Sequence, residues 1–272
     1  MNKFDGTLLV SDIDGTLIGA DGLPQANVDA IAQYCAQGGR FAIASGRSFA
    51  ESAAILRKIT PNAPCVFNNG TEIFDCNAKK PLEQILMDDS KDGETAQVLR
   101  MFPEAAVLIY TPGITYVVQQ NRQTEEHDRD VGVDSVPISV TEIPKQKYKL
   151  VYMAPVETIR GIKAYYAAHP DDRLETNRSD PQYFEVFPAG GNKGDGVRRL
   201  AKRFGIPVER CFTIGDFDND VPMLSAVPHS ATPENGSPAA KKAAEITVCA
   251  CEQGAVADYI RHIGEILSER DI

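Results

Sequence analysis

Two aspartates near the start of the chain, Asp12 and Asp14, have the type and spacing of catalytic carboxylates. They follow an apolar run at 7–10 that is typical of a short buried strand, and Gly15 comes directly after them. In open α/β sheets, ligands bind beyond the carboxyl ends of the strands. Two carboxylates on a backbone turned by a glycine can both face that crevice. The alternative is an Asp-rich turn that only ends the strand.

A second acidic loop, at 215–220, follows the strand-like run Cys211–Ile214 and contributes Asp216, Asn219 and Asp220. Carboxylates brought together without a cation repel one another and raise one another's pKa values. A Mg²⁺ ion removes that cost, because it prefers oxygen ligands and needs few protein carboxylates. An Asp- and Asn-rich cap of the next helix is the alternative. The presence of two such loops in one chain favours a metal site.

The tripeptide Ser45-Gly46-Arg47 ends a second strand pattern and opens a helix pattern. A hydroxyl and backbone N–H groups at a helix N-terminus can bind a phosphate. An ordinary serine cap explains the tripeptide equally simply. Its functional interpretation therefore depends on the two acidic loops nearby.

Two further loops carry polar groups of lower individual specificity. Asn69 and Gly70 follow a third strand pattern and also fit a simple turn. Lys193 begins a helix after a glycine-rich stretch that lacks the glycine required before the lysine of a P-loop. A lysine in that position can still hold an anionic intermediate, and a solvated surface lysine is the alternative.

These loops require a parallel sheet to bring them together, and the sequence predicts one. Single helix patterns separate the strand patterns in the first quarter of the chain, and the same alternation returns after Lys193. Such alternation indicates right-handed β-α-β units. The predicted strands of this part are 7–10, 41–44, Cys65–Phe67, Cys211–Ile214 and Ile246–Val248, and the predicted helices are at about 28–35, 48–59, Lys193–Phe204 and 254–267.

The middle of the chain has a different pattern, with hairpin signals instead of single strands between helices. Strand patterns occur at 107–110, 114–118, 148–153 and 183–187, and a helix pattern covers about 156–168. We therefore predict a doubly wound α/β core at 1–85 and 185–272, split by an α+β domain at 86–184. Within the insertion, Asn177 and Arg178 lie in a polar segment near the return to the core; Arg178 is a candidate substrate ligand, and a polar surface loop is the alternative.

Taken together, the motifs resemble the haloacid dehalogenase superfamily and its Cof-type phosphatases with a C2-type cap. The pattern D-x-D-G-T at 12–16, the serine at 45, the lysine at 193 and G-D-x-x-N-D at 215–220 occur in the family's order. The chain departs from the family at 229–233, where His-Ser-Ala-Thr-Pro replaces a common Gly-Asn-Ala segment. The resemblance implies a HAD-like core with an inserted cap.

The resemblance also implies a role for each motif residue. Asp12 is then the nucleophile, Asp14 the general acid and base, and Ser45 and Lys193 the ligands of the transferring phosphoryl group. Asp216 binds Mg²⁺ together with Asp12 and the backbone carbonyl of Asp14. Asn219 and Asp220 support the metal and its waters or support Lys193, and Asn69 and Gly70 belong to a loop beside the phosphate.

Composition limits the partners and the location. The 272-residue chain carries a formal charge of −10, which argues against nonspecific nucleic-acid binding. No apolar run is long enough to span a bilayer, and the start of the chain is too short in apolar residues for a signal peptide. The six cysteines form no C-x-x-C pair and are expected to be reduced thiols. We therefore expect a cytoplasmic protein, a monomer or homodimer, that acts on a small phosphorylated metabolite.

Three functions are compatible with these motifs. The first is a Mg²⁺-dependent phosphatase for a sugar phosphate or a phosphorylated cofactor, which works through an aspartyl-phosphate intermediate. The second is a phosphomutase, which would use the same core and return the phosphoryl group to a sugar. The third is a sugar-phosphate sensor without catalysis, which the complete set of catalytic side chains disfavours.

Overall fold

The structure is a computed structural model that describes residues 2–88 and 91–269. Among these residues, no helix is both long and apolar enough to cross a membrane. All six cysteines lie in the described ranges, and all are free thiols.

A five-stranded parallel sheet forms the centre of the molecule, and we call it the core sheet. Its strand order is β14-β13-β12-β1-β2. The neighbours of β1 pair in register, so that Val10 lies beside Thr213 on one side and beside Ala42 on the other. The strands are β1 (Leu8–Ser11), β2 (Arg40–Ile43), β12 (Cys211–Ile214), β13 (His229–Pro233) and β14 (Ile246–Val248).

Helices cover both faces of the core sheet. Successive side chains of a strand point to opposite faces, and those of β1 separate accordingly. Leu9 packs in one apolar cluster with residues of α1 and α9, whereas Leu8 and Val10 pack in another with residues of α6. The main helices are α1 (Gln25–Ala36), α6 (Lys193–Phe204) and α9 (Ala255–Glu269), with short helices α2 (Ala53–Leu56), α7 (Val221–Leu224) and α8 (Pro238–Ala243).

A small antiparallel sheet extends from the core beside β2. It has the order β3-β4-β5, and an isolated parallel bridge joins Ala44 to Val66 of β3. Its strands are β3 (Cys65–Phe67), β4 (Glu72–Asp75) and β5 (Lys80–Gln84).

A six-stranded mixed sheet lies between the two halves of the core in sequence, and we call it the cap sheet. Its order is β10-β11-β9-β6-β7-β8, antiparallel except for the parallel pair β7 and β8. The strands are β6 (Ala106–Tyr110), β7 (Thr115–Val118), β8 (Val136–Pro137), β9 (Lys149–Met153), β10 (Leu174–Asp180) and β11 (Tyr183–Pro188), and the helices are α3 (Asp92–Met101), α4 (Arg122–Val131) and α5 (Val156–Ala168).

The predicted fold class, a parallel α/β core with an inserted α+β domain, is confirmed. The domain limits stay a prediction. The limit at 184/185 falls inside β11, and residues 89 and 90 of the predicted insertion lie outside the described residues.

One local prediction was wrong. The helix predicted at 48–59 is reduced to Ala53–Leu56, because the flanking residues form turns in which backbone N–H groups bond to the third residue before them, as Ala53 does to Ala50 and Lys58 to Ile55. The segment 229–233, which is not among the predicted strands, forms β13. Asn177 and Arg178, for which a polar surface loop was the alternative interpretation, lie within β10.

Candidate active site

The site forms where three adjacent strands of the core sheet end. β1 lies between β12 and β2, so the residues that follow these strands meet at one edge. Asp12 follows β1 directly, and its backbone N–H donates to the carbonyl of Ile214 at 2.9 Å. This bond continues the pairing with β12 and places Asp12 beside the loop that carries Asp216. The position of this edge is the one that parallel α/β sheets use for ligands.

Lys193 forms ion pairs with both acidic loops. Its Nζ donates to Asp12 Oδ1 at 2.7 Å and to Asp220 Oδ1 at 2.6 Å. The three side chains are almost completely buried, with 1% of the lysine side chain exposed. The ion pairs hold the pKa of Lys193 above its ordinary value against the opposing effect of burial. The lysine is therefore a fixed positive charge at the base of the site.

Both carboxylate oxygens of Asp220 accept hydrogen bonds that hold this arrangement. While Oδ1 accepts from Lys193, Oδ2 accepts from the backbone N–H groups of Asp216 at 2.9 Å and Phe217 at 3.0 Å. The carboxylate thus orients both the lysine and the loop that carries Asp216.

Asp216 is oriented by residues of the first acidic loop. Thr16 Oγ1 donates to Asp216 Oδ1 at 2.8 Å. Gly15 has φ 75° and lies so close that a Cβ built there would stand 2.4 Å from Asp216 Oδ2. A residue with a side chain would be strained in this backbone conformation and would clash with the carboxylate. The glycine and threonine of the D-x-D-G-T pattern are thus required by the position of Asp216.

The buried carboxylates form a set that fits a hard cation. Ligand oxygens of Asp12, Asp216 and Asp220 lie within 4.8 Å of one another. Burial, together with the neighbouring carboxylate of Asp220, raises the pKa of Asp216 to about 7 and raises that of Asp12 well above 3.8. Oδ2 of Asp12 and Oδ2 of Asp216 accept no hydrogen bond from any residue of the described ranges. A divalent ion with oxygen ligands would relieve this repulsion at those two open oxygens.

Asp14 lies outside the buried cluster and forms a two-pronged ion pair. Arg47 Nε and a terminal nitrogen donate to its two oxygens at 2.8 and 2.6 Å. The Asp14 side chain is 54% exposed. Both aspartates line the cleft described below, but Asp12 is buried. The two aspartates of the motif therefore have different surroundings, as different roles would require.

The loop after β2 and the loop after β3 are bonded to each other. The Ser45 carbonyl accepts from the Asn69 backbone N–H at 3.0 Å, and Ser45 Oγ accepts from the Arg47 backbone N–H at 3.1 Å. Asn69 is held in the left-handed region at φ 64°. Gly70 packs so closely against the Asn192 carbonyl that a Cβ would stand 2.1 Å from it. Asn69 therefore holds the loop that carries Ser45, and Gly70 allows close packing against the residue before Lys193.

A cleft of about 360 Å³ separates the strand ends from the cap sheet. Its core side includes Asp12, Asp14, Ser45, Gly46, Arg47, Asp216 and Asn219. Its cap side includes aromatic, charged and apolar residues: Tyr110, His127, Asp130, Val131, Lys149, Val151, Met153, Ser179, Asp180, Tyr183 and Glu185.

The structure brings most of the predicted residues together, with Arg178 as the exception. Its guanidinium donates to Oδ2 of Asp218, in the second acidic loop of the core, at 3.3 Å. Among the described residues, Arg178 is not part of the cleft lining. The motif reasoning also missed Lys149 and Glu185 of the cap sheet. The available signal was one charged residue in each of two otherwise apolar strands, which is costly to bury without a purpose.

Comparison with known proteins agrees with this geometry. The family of haloacid dehalogenase-like hydrolases matches residues 9–260. A solved structure of a HAD subclass IIB sugar phosphatase, BT4131, superposes with a TM-score of 0.83 at 19% identity and covers 95% of this chain and 99% of its own.

Two relatives match along nearly their whole length. An uncharacterised hydrolase of Schizosaccharomyces pombe is 26% identical over 96% of this chain and 92% of its own. An HMP-PP phosphatase of Serratia proteamaculans is 23% identical over 94% of both chains. The predicted resemblance is confirmed: this chain belongs to the haloacid dehalogenase-like hydrolase family, and it has the subclass IIB fold with an inserted cap.

Proposed function

We propose that this chain is a Mg²⁺-dependent phosphatase that hydrolyses a small phosphorylated metabolite through a phosphoryl group carried on Asp12. The observation that carries the proposal is the buried contact of Lys193 with Asp12 and Asp220, beside Asp216. A lysine held by two carboxylates is a permanent positive charge that can stabilise a transferring phosphoryl group.

Asp12 is the nucleophile in this proposal. One carboxylate oxygen of Asp12 would attack phosphorus while the other would bind the cation; Oδ1 accepts from Lys193, and Oδ2 has no partner among the described residues. The attack forms an acyl phosphate and expels the alkoxide, and water then cleaves the acyl phosphate and restores the carboxylate. Ser45 and the Gly46 backbone N–H, which line the cleft, would bind the phosphoryl oxygens.

Mg²⁺ would be held by Asp12 and Asp216, with the backbone carbonyl of Asp14, and when bound it would neutralise charge on the phosphoryl group. Asp220 would act through Lys193 and through the backbone of the Asp216 loop, because both of its oxygens are already bonded. Asn219, in the same loop, lines the cleft and would support bound water.

Asp14 would protonate the leaving oxygen and then accept a proton from the attacking water. Its side chain is 54% exposed, compared with 8% for Asp12, and a mobile proton needs such access. Arg47 holds the carboxylate through two hydrogen bonds and so fixes its orientation toward the cleft.

The substrate would be small and polar, such as a sugar phosphate or a phosphorylated cofactor. A cleft of about 360 Å³ is at the small end of ligand sites. The cap sheet and its helices supply more than half of the lining, so the part of the substrate beyond the phosphate would contact the cap. The names of two similar proteins, a sugar phosphatase and an HMP-PP phosphatase, support this class.

A screen of phosphorylated metabolites with Mg²⁺, read as release of inorganic phosphate, tests the proposal. Release of phosphate also separates hydrolysis from transfer to a second sugar oxygen. Turnover of neither the metabolites nor an aryl phosphate would contradict it.

Asp14→Asn should slow alkyl phosphates far more than aryl phosphates. The expected loss for an alkyl ester is about 10² to 10⁴-fold, because its leaving oxygen requires a proton, whereas a phenolate leaves without one. The measurement is kcat/KM for a sugar phosphate and for p-nitrophenyl phosphate, with Asp21→Asn on the surface as control. An equal loss for both esters would remove Asp14 from the acid role.

Mg²⁺ should stabilise the folded protein more at about pH 8 than at about pH 5.5, because the pKa of Asp216 is raised from 3.8 to about 7. Between the two pKa values, 3.8 and about 7, Asp216 holds its proton in the folded state but not in the unfolded state, so the metal-free folded chain binds more protons than the unfolded chain. Its stability therefore falls as the pH rises through this window, and the repulsion is complete above it. At the higher pH a cation binds to ionised carboxylates and removes their repulsion. At the lower pH it must first displace the protons bound to them.

The measurement is the midpoint temperature of unfolding with Mg²⁺ and with chelator at both pH values. Chelation should also abolish turnover, and Mg²⁺ should restore it where Ca²⁺ does so poorly. A metal effect on stability that is equal at both pH values would contradict binding at Asp12 and Asp216.

A further inference from the structure

Two charged residues of the cap sheet are buried at the cleft and reach the core. Lys149 in β9 is 3% exposed and Glu185 in β11 is 1% exposed, and both line the cleft. Lys149 Nζ donates to Glu185 Oε2 at 2.7 Å and to the Gly46 carbonyl at 2.8 Å. The Gly46 carbonyl belongs to the loop that would bind phosphate, so a cap residue contacts that loop directly.

The Lys149 ammonium is engaged mainly by protein groups. Two of its three N–H donors form the hydrogen bonds above, and its nitrogen also lies over the face of Tyr110, 4.5 Å from the ring centroid. Glu185 Oε2 also accepts from Asn69 Nδ2. The lysine thus acts on the core loops and is not a free cation in the cleft.

These bonds fix two peptide groups of the loop at 45–47, which we call the phosphate loop: the peptide between Ser45 and Gly46 and the peptide between Gly46 and Arg47. The Asn69 N–H holds the Ser45 carbonyl, and Lys149 holds the Gly46 carbonyl. The peptide held by Lys149 includes the Arg47 N–H, which donates to Ser45 Oγ. The Gly46 N–H donates to no residue within 2–88 and 91–269. With its carbonyls engaged, the loop presents donors instead of acceptors to an anion.

We propose that Lys149, supported by Glu185, is a positioning residue that completes the phosphate-binding loop from the cap. It fixes the peptide between Gly46 and Arg47, and through that peptide it fixes the hydroxyl of Ser45. The inference rests on the proposed function, because it assigns the anion to this loop. The cap then contributes to binding of the phosphoryl group itself and not only to recognition of the rest of the substrate.

Two other roles for Lys149, recognition of the leaving group and stabilisation of the cap, would have different measurable consequences. A residue that reads the leaving group would matter for a sugar phosphate but not for p-nitrophenyl phosphate or inorganic phosphate. An ion pair that only holds the cap together would change the unfolding temperature without changing phosphate affinity. A positioning residue affects every phosphate ester and the affinity for inorganic phosphate.

The test compares Lys149→Met with Lys147→Met. Lys147 is a matched control, because it is equally buried and lies two residues earlier, but its ammonium holds the carbonyls of Asp88 and Pro144 and the carboxylate of Asp92. Lys149→Met should lower kcat/KM for p-nitrophenyl phosphate by about 10 to 100-fold and weaken binding of inorganic phosphate, measured by calorimetry, about tenfold. Lys149→Arg should recover part of both losses.

Lys147→Met should lower the unfolding temperature and leave both quantities unchanged. Equal phosphate affinity in Lys149→Met and wild type, or equal losses in both methionine variants, would overturn the inference. If Lys149→Met does not fold, Glu185→Gln should weaken phosphate binding in the same direction, and an unchanged affinity would overturn it. A wild-type protein that hydrolyses no ester contradicts the proposed function instead, and the phosphate affinities still decide the role of Lys149.

Discussion

Asp12→Asn should reduce release of phosphate by at least about 10⁴-fold while the protein keeps its fold. An amide is a poor nucleophile and cannot form the acyl phosphate. The substituted side chain retains an oxygen that can accept from Lys193, and Lys193 keeps its ion pair with Asp220. The loss should therefore be in turnover and not in folding.

The measurement is kcat for an aryl phosphate at saturating Mg²⁺, together with the midpoint temperature of unfolding. Asp21→Asn makes the same chemical change at an exposed position and should leave turnover unchanged. Retention of more than a few per cent of activity in Asp12→Asn would remove Asp12 from the nucleophilic role.

Lys193→Met should reduce both stability and turnover. The substitution leaves the buried carboxylates of Asp12 and Asp220 without the cation that they share. Breaking a buried ion pair from one side costs about 3–5 kcal/mol of unfolding free energy. Loss of the charge that faces the phosphoryl group should lower kcat by about 10² to 10³-fold.

The pH dependence separates this electrostatic cost from lost packing. Because the pKa values of Asp12 and Asp216 are already raised, these groups can bind protons at low pH and reduce the repulsion. The stability loss in the metal-free protein should thus be larger at about pH 8 than at about pH 5.5. Lys202→Met, at an exposed position of the same helix, is the control. A loss that does not vary with pH would indicate packing alone.

The architecture of the core followed from sequence because local and global signals agree there. Each strand that ends at the site is a short apolar run, and each is followed by polar residues and a helix start. β1 and β12 match their predicted positions to within one residue. The regular alternation of strand and helix patterns predicts the parallel pairing of these strands.

Strand β13 was not predicted, because tertiary contacts override side-chain preference there. β13 is completely buried although it contains His229, Ser230 and Thr232. Its position between β12 and β14 fixes its conformation, since pairing on both sides decides strand formation more than composition does. The single-sequence pattern contains no information on that pairing.

The site was predictable in its core half and not in its cap half. Asp12, Ser45 and Asp216 occur in spaced motifs beside strand ends, so their types and positions agree. Lys149 and Glu185 are separated along the sequence and become a pair only through the alignment of β9 with β11. That alignment depends on the folding of the cap, which the residue pattern predicted only as a class.

Identifying the residue that carries the phosphoryl group tests the proposed function most directly. Wild-type enzyme is mixed with a phosphate ester and Mg²⁺, quenched in acid, digested and analysed by mass spectrometry. An aspartyl-phosphate mechanism predicts one acid-stable, hydroxylamine-sensitive phosphoryl group on the peptide that contains Asp12, absent from Asp12→Asn. Turnover without any phosphorylated peptide, or a phosphoryl group on another residue, would contradict it.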